Sequence, residues 1–288
     1  MGVRGVIDAL LRELPAARIA AVANLLAAAS IALAWLSPAA RAERQTAAPS
    51  VDLKLVVAVD VSTSMSDEEQ RLQRDGYASA LRSPDIMHAI RSGRLGRIAI
   101  AYVEWARPEY QRLVVPWTVI DNAAEAAAIA DEIERQSSAP QGGTSISAAL
   151  VTAGRLLRTS ELQSDREIVD VSGDGPNNSG PHLREAREGL IRRGVTINGL
   201  AISLSHSPHD MIESFPLDYI VSYYKHCVIG GSGAFVLAVG DPADFARAIR
   251  LKLIAEIAES PELALLPQLA RYDRQYSIAD CDLRVFGR

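Results

Sequence analysis

Basic residues do not outnumber acidic ones in this 288-residue chain. Thirty Lys and Arg stand against 35 Asp and Glu, a formal net charge of −5, and only three of the 30 are lysine. The arginines are interspersed with acids throughout, so the electrostatic footprint of a nucleic-acid binder is missing. Glycine (19) and proline (14) are too few, and charge (23%) too modest, for a collagen, a coiled coil or a disordered chain. Two cysteines allow no more than one internal disulfide. The Gly-x-Ser-x-Gly nucleophile elbow and the phosphate-cradling Gly-Lys-Ser loop are both absent. What the chain has is 48% hydrophobic residues, enough for a globular core.

Ile19 to Leu36 is an uncharged run of 18 residues, preceded by Arg4, Arg12 and Arg18 and followed by Ser37-Pro38-Ala39-Ala40-Arg41-Ala42. A basic start, an apolar centre and a small-x-small end are the three parts of a secretory signal; cleavage is expected after Ala42, with export to the periplasm or the exterior. The alternative is a retained inner-membrane anchor. Eighteen residues just span a bilayer, but eight of them are alanine and one is Asn24, a poor match to lipid. Without residues 1–42 the chain keeps 26 basic and 33 acidic residues, a net charge of −7. Export would put Cys227 and Cys281 in an oxidising compartment where they can pair. That bridge would close a loop of about 55 residues and constrain the unfolded chain by about 4 kcal/mol; the alternative is two free, buried thiols.

Leu53 to Asp60 is short, β-branched and almost wholly apolar, the pattern of a strand buried on both faces. Ser66-Asp67-Glu68-Glu69 is a capping box that opens a helix to about Arg82, and Ser83-Pro84 starts a second helix through Ile90. Strands follow at Ile98–Trp105 and Arg112–Trp117, then a helix at Ala123–Gln136 and another at Ser145–Arg158, whose Ile146, Leu150, Ala153 and Leu157 form one stripe. The order repeats with a strand at Glu167–Ser172, a helix at Pro181–Arg193, strands at Val195–Ile202 and Ala234–Val239, and a helix from Asp241 to about Ala258. Alternation of this kind predicts a doubly wound α/β domain, Rossmann-like, with a mostly parallel sheet and helices on both faces, over about residues 50–258. Ser203 to Gly233 shows no clear period, and residues 259–288 are expected to form a C-terminal tail packed on the domain.

In an open parallel sheet, ligands bind at the carboxyl ends of the strands, where strand order reverses. Three polar groups fall at such ends. The first strand runs into Asp60-Val61-Ser62-Thr63-Ser64; Gly142-Gly143-Thr144-Ser145 is a glycine-loosened turn before a helix; and Ile168–Ser172 runs into Gly173-Asp174-Gly175. Two carboxylates and three hydroxyls, with no imidazole or thiolate, suit a hard divalent cation such as Mg²⁺. If the neutral hydroxyls bind directly and the carboxylates act partly through water, the ion keeps much of its charge and seeks an anionic ligand, such as an acidic side chain of another protein.

Asp60-x-Ser62-x-Ser64 after an apolar strand, then Thr144, then Asp174, resembles the metal-ion-dependent adhesion site of the von Willebrand factor type A domain. The chain looks most like exported bacterial members of unknown function. The resemblance implies Ser62 and Ser64 as direct ligands, Thr144 as a direct or water-mediated one, and Asp60 and Asp174 acting mainly through water or hydrogen bonds. It also implies Mg²⁺ (or Mn²⁺ or Ca²⁺) as the ion, a non-enzymatic adhesion or scaffold role, and a protein partner that offers an acidic side chain. The chain departs from the family in two places. Asp170 interrupts a strand that is usually apolar, and Gly173-Asp174-Gly175-Pro176-Asn177-Asn178 is more polar than the usual loop.

Two other functions are carried forward: a metal-dependent phosphate-ester hydrolase with Asp60 as nucleophile, and a structural module whose site stays empty. The first lacks its general acid, because Ser62 stands where a second aspartate would be needed. His206, His209, His226 and Cys227 could be drawn as a zinc set, but the first two lie in a Ser/Pro loop where histidines are usually solvated. Gly230-Gly231-Ser232-Gly233 precedes a strand rather than a helix and is expected to be a tight turn, while Tyr219, Tyr223 and Tyr224 form either an exposed recognition patch or core filling.

Overall fold

The computed structural model of the chain describes residues 49–137, 142–204, 215–258, 276–278 and 280–282. The signal segment 1–42, His206 and His209, and most of the 259–288 tail lie outside the described residues. In chain order the elements are β1 (Lys54–Asp60), α1 (Asp67–Leu81), α2 (Pro84–Arg91), β2 (Ile98–Trp105), β3 (Gln111–Ile120), α3 (Ala123–Arg135), α4 (Ile146–Thr159) and β4 (Glu167–Gly173). There follow α5 (Leu183–Ile191), β5 (Thr196–Ile202), α6 (Leu217–Tyr223) with a π turn (Tyr224–Val228), β6 (Val236–Val239), a 3₁₀ turn (Pro242–Asp244) and α7 (Phe245–Ile257).

The six strands lie in the order β3-β2-β1-β4-β5-β6, all parallel except β3, which runs antiparallel to β2. The side chains of β1 alternate between two cores. Leu55, Val57 and Val59 face the cluster formed with α1, α2, α3 and α7, and Val56 and Ala58 face the one formed with α4, α5 and α6. A strand covered on both sides can carry almost no polar residue, which is why β1 is an apolar run. Strand order reverses between β1 and β4, so their carboxyl ends flank the crevice where such folds bind ligands.

Local sequence sets the helix starts. The Ser66 hydroxyl accepts from Glu69 N–H while the Glu69 carboxylate accepts from Ser66 N–H, so two amide donors of the first turn of α1 are satisfied. Ser83 caps α2 ahead of Pro84, Asn122 Oδ1 accepts from the Ala124 and Glu125 amides of α3, and the Ser145 hydroxyl accepts from Ala148 N–H of α4.

Several boundaries differ from the sequence expectation. β3 extends beyond Arg112–Trp117 to Gln111–Ile120 because it pairs with β2 along almost its whole length, across a bulge opposite Ala101 that takes in Pro116. α5 spans Leu183–Ile191 rather than Pro181–Arg193: His182 is its N-cap, and Pro181 lies before it. β6 starts at Val236 rather than Ala234. The stretch without a period contains α6 and the π turn, too short for a 3.6-residue pattern to emerge. Tyr223 and Tyr224 are buried in the second core, while half-buried Tyr219 stacks on Phe215 at its margin, so the three form no shared exposed patch. Cys227 and Cys281 are joined in a disulfide with Cα atoms 5.5 Å apart, which removes Cys227 as a thiolate for zinc.

Asp170 can sit in β4 because the fold supplies its counter-charge. Lys252 Nζ of α7 lies 2.5 Å from Asp170 Oδ1 and also pairs with Glu256, to which Asn198 Nδ2 donates at 3.0 Å; Tyr77 Oη donates to Asp170 Oδ2 at 3.3 Å. All three charged groups are buried. Burial, with the Asp170 charge second, pushes the Glu256 carboxyl up to about 7 from a reference of 4.5. Between those values the fold holds a proton that the unfolded chain releases, so stability present at about pH 4.5 is lost as the pH rises to about 7. Urea unfolding at pH 5 and pH 7 should therefore show a less stable protein at the higher pH, with a Glu256 share on the order of 1–3 kcal/mol. Glu256→Gln should shrink the difference; an unchanged difference would contradict the assignment.

Candidate metal centre

The parallel pairing of β1 with both β2 and β4 carries Asp60 to the end of the central strand, where its side chain is fully buried. The chain then turns sharply, with Met65 N–H donating to the Ser62 carbonyl at 3.0 Å. Inside that turn Ser62 N–H donates to Asp60 Oδ1 at 2.7 Å. The hydroxyls of Ser62 and Ser64 lie 2.9 Å apart, and Ser64 Oγ donates to Asp174 Oδ1 at 2.8 Å. Exposure grades across the set: Asp60 and Ser62 are buried, Asp174 is half-buried and Ser64 is open to solvent.

Thr144 joins through its backbone. Its N–H donates to Asn178 Oδ1 at 2.9 Å, and its carbonyl accepts from Asn178 N–H at 2.9 Å and from the Ser179 hydroxyl. Asn177 Oδ1 in turn accepts from Ser147 N–H at 3.0 Å, in the first turn of α4. The polar run after Asp174 is therefore a clamp that fastens the Thr144 turn to the Asp174 loop. Gly143 makes the turn with φ of +85°, a conformation costly for a side-chain-bearing residue, and packs against Arg107.

Two further residues shape the centre without a sequence motif to mark them. Gln73 of α1, fully buried, donates from Nε2 to the Asp60 carbonyl at 2.9 Å and accepts from the Ser172 hydroxyl at 2.8 Å, so it bridges the ends of β1 and β4. A glutamine on the buried stripe of α1, one turn before Tyr77, is the signal that could have exposed it. Among the described residues, Tyr224 Oη is buried with no hydrogen-bond partner, as is Asp60 Oδ2, and a Cβ placed on Gly173 would lie 2.8 Å from each. The tyrosine was visible only as one of an aperiodic group.

The electrostatics are those of crowded acids. Burial first, and the Asp174 charge second, raise the Asp60 carboxyl well above its ordinary range. Burial likewise lifts Asp174 to about 6, opposed by the Ser64 hydroxyl and assisted by the charge of Glu69. A buried carboxylate with an orphaned oxygen, a half-buried one, and the Ser62 and Ser64 hydroxyls between them form an all-oxygen donor set that fits a hard divalent cation. Among the described residues no group of three or more His, Cys, Asp or Glu could hold a metal. The donor set here is mixed, with the alcohols contributing as much as the acids.

The sequence profile of the family described as "Protein of unknown function (DUF1194)" matches residues 50–261. No curated protein matches the chain. Among solved structures it is similar to a von Willebrand factor type A protein from Catenulispora acidiphila, at 18% identity over 72% of this chain and 43% of that one, with a TM-score of 0.52. It is also similar to the pilus adhesin SpaC from Lactobacillus rhamnosus GG in its open conformation, at 15% identity over 72% of this chain and 30% of that one, again with a TM-score of 0.52. The chain thus matches less than half the length of either protein. The shared architecture is that of the von Willebrand factor type A domain.

The crowding over Gly173 yields a direct test of this geometry. Gly173→Ala should displace the Asp60 carboxylate or the Tyr224 ring and destabilise the protein by about 1–3 kcal/mol, the usual cost of overpacking. Chemical denaturation checks it, and an unchanged midpoint would mean that the space assigned to these two oxygens is larger than described.

Proposed function

Because the chain belongs to the DUF1194 family and carries the von Willebrand factor type A fold, we propose that it is an exported, non-enzymatic adhesion or scaffold module. In this reading a divalent cation, Mg²⁺ first and Mn²⁺ or Ca²⁺ as alternatives, is held by Ser62, Ser64 and Thr144 with help from Asp60 and Asp174. The observation that supports it most is the hydrogen-bonded chain Asp60–Ser62–Ser64–Asp174, which runs from a buried carboxylate to an exposed hydroxyl at the point where strand order reverses.

Each residue has a separable task. Asp174 accepts the Ser64 O–H and so leaves a Ser64 lone pair for a cation, while Asp60, fixed by the Ser62 amide, would supply negative charge once a cation offsets its burial. Gln73 holds the two strand ends together by accepting from Ser172 and donating to the Asp60 carbonyl. A bound cation would supply a Lewis-acidic position at which a carboxylate of a partner protein can be captured. Neutral alcohols as ligands leave that position electron-poor, which favours an anionic partner over water.

The hydrolase alternative gains no support from the geometry. Its nucleophile would be Asp60, whose side chain is fully buried and tied to Ser62. Export is favoured by the signal-like sequence of residues 1–42 and by the Cys227–Cys281 bridge, since disulfides persist in oxidising compartments.

Titration calorimetry on the full chain tests the function. Mg²⁺ or Mn²⁺ should bind with one-to-one stoichiometry, and a Ser62→Ala/Ser64→Ala variant with an intact fold by circular dichroism should give no heat above dilution. An immobilised Glu- or Asp-bearing peptide array should retain the wild type in Mg²⁺ and release it in chelator. Equal heats from the two proteins would sink the reading.

A further inference from the structure

The C-terminal residues Cys281 and Asp282 reach back to the Asp174 loop through bonds to which the adhesion reading gives no role. Asp282 Oδ1 accepts from Asn177 Nδ2 at 2.8 Å and from Leu183 N–H at 3.1 Å, and Asp282 Oδ2 lies 3.0 Å from His182 Nδ1. Tyr223 Oη accepts from Asn177 N–H at 3.0 Å and donates to the Cys281 carbonyl. Cys281 itself is covalently fixed to Cys227, in the π turn that follows Tyr223.

Asn177 is therefore held from three sides: by Asp282, by Tyr223, and by its own acceptor bond to Ser147 N–H. It is three residues after Asp174 and next to Asn178, which fixes Thr144. Asp282 also serves α5. His182, the N-cap of that helix, makes no side-chain cap bond, and the Asp282 carboxylate accepts from the first helical amide in its place. Against the upward push of partial burial, the bonds from His182, Leu183 and Asn177 keep the Asp282 carboxyl below its ordinary range, so it is an ionised brace at neutral pH.

We propose that Asp282, delivered by the Cys227–Cys281 bridge, is a positioning residue for the metal site: it sets the Asn177 turn and through it the places of Asp174 and Thr144. The inference rests on the metal-binding reading. Its physical content is that a loop carrying ligands has to be preorganised before the ion arrives, and Asp282 with the Cys281 carbonyl performs that task.

The test uses the full chain with its disulfide intact, compared with Asp282→Ala, Asp282→Asn and Cys227→Ser/Cys281→Ser. Two quantities are read: metal-free amide hydrogen exchange across residues 174–178, with β1 and β2 as internal controls, and Mn²⁺ affinity by paramagnetic resonance. Asp282→Ala and the double cysteine variant should speed loop exchange about tenfold, leave β1 and β2 unchanged, and weaken Mn²⁺ binding about tenfold, the usual scale for residues that orient ligands. Asp282→Asn retains an acceptor oxygen and should recover part of both losses, which a purely global destabilisation would not produce; it also carries the test if the alanine variant does not fold. Loop exchange that is unchanged, or faster exchange with unchanged Mn²⁺ affinity, overturns the positioning role alone. A wild type that takes up no Mn²⁺ overturns the metal reading and the positioning role together.

Discussion

The burial of Asp60 is the constraint around which the carboxyl rim of the sheet is built. A carboxylate sealed at the end of a central strand loses its hydration, and the loss is tolerable only where other groups take the place of water. One oxygen is matched by the Ser62 amide and the other has no hydrogen-bond partner among the described residues. Gly173 lacks a side chain where one would strike that oxygen, and Gln73 locks the backbone of Asp60 to β4. The loop that follows places two alcohols over the acid. Remove the buried carboxylate and none of these choices has a reason.

β4 sets two solutions to the same problem four residues apart. Asp170 has an internal partner: Lys252 on α7 neutralises it inside the core, with Glu256 and Asn198 completing the group. At the strand end, the charge acting most strongly on Asp60 is that of Asp174, another acid. The first arrangement is closed and belongs to the fold. The second is half-open and sets one acid against another. This contrast distinguishes the two acids where burial does not, since Asp60 and Asp170 are equally buried.

Much of the architecture was legible because the strands are buried on both faces and therefore appear as unbroken apolar runs, each bounded by a cap such as Ser66 or Asn122. Four of the five oxygen-bearing residues, Asp60, Ser62, Ser64 and Asp174, were legible for a related reason: they follow those runs, where polarity returns abruptly, while Thr144 was marked by the Gly142-Gly143 turn before α4. What escaped was non-local. Gln73 resembles any polar helix residue until its partners on two strands are known. Asn177 and Asn178 showed only as an unusually polar loop, although they clamp Thr144 and α4. Asp282 lies 105 residues from the asparagine it holds, and nothing in its neighbourhood announces that bond. α6 was missed because seven residues are too few to display a period.

The two borders of the sheet show how the molecule avoids unwanted company. β3 forms one border and carries Pro116, which has no amide to offer an incoming strand, at a bulge that bends the ladder. β6 forms the other and is only four residues long. Neither margin is a good template for a foreign backbone, so polymerisation by sheet extension is discouraged. A domain with such margins stays apart from its own copies even when crowded, because its flanks offer them nothing to extend.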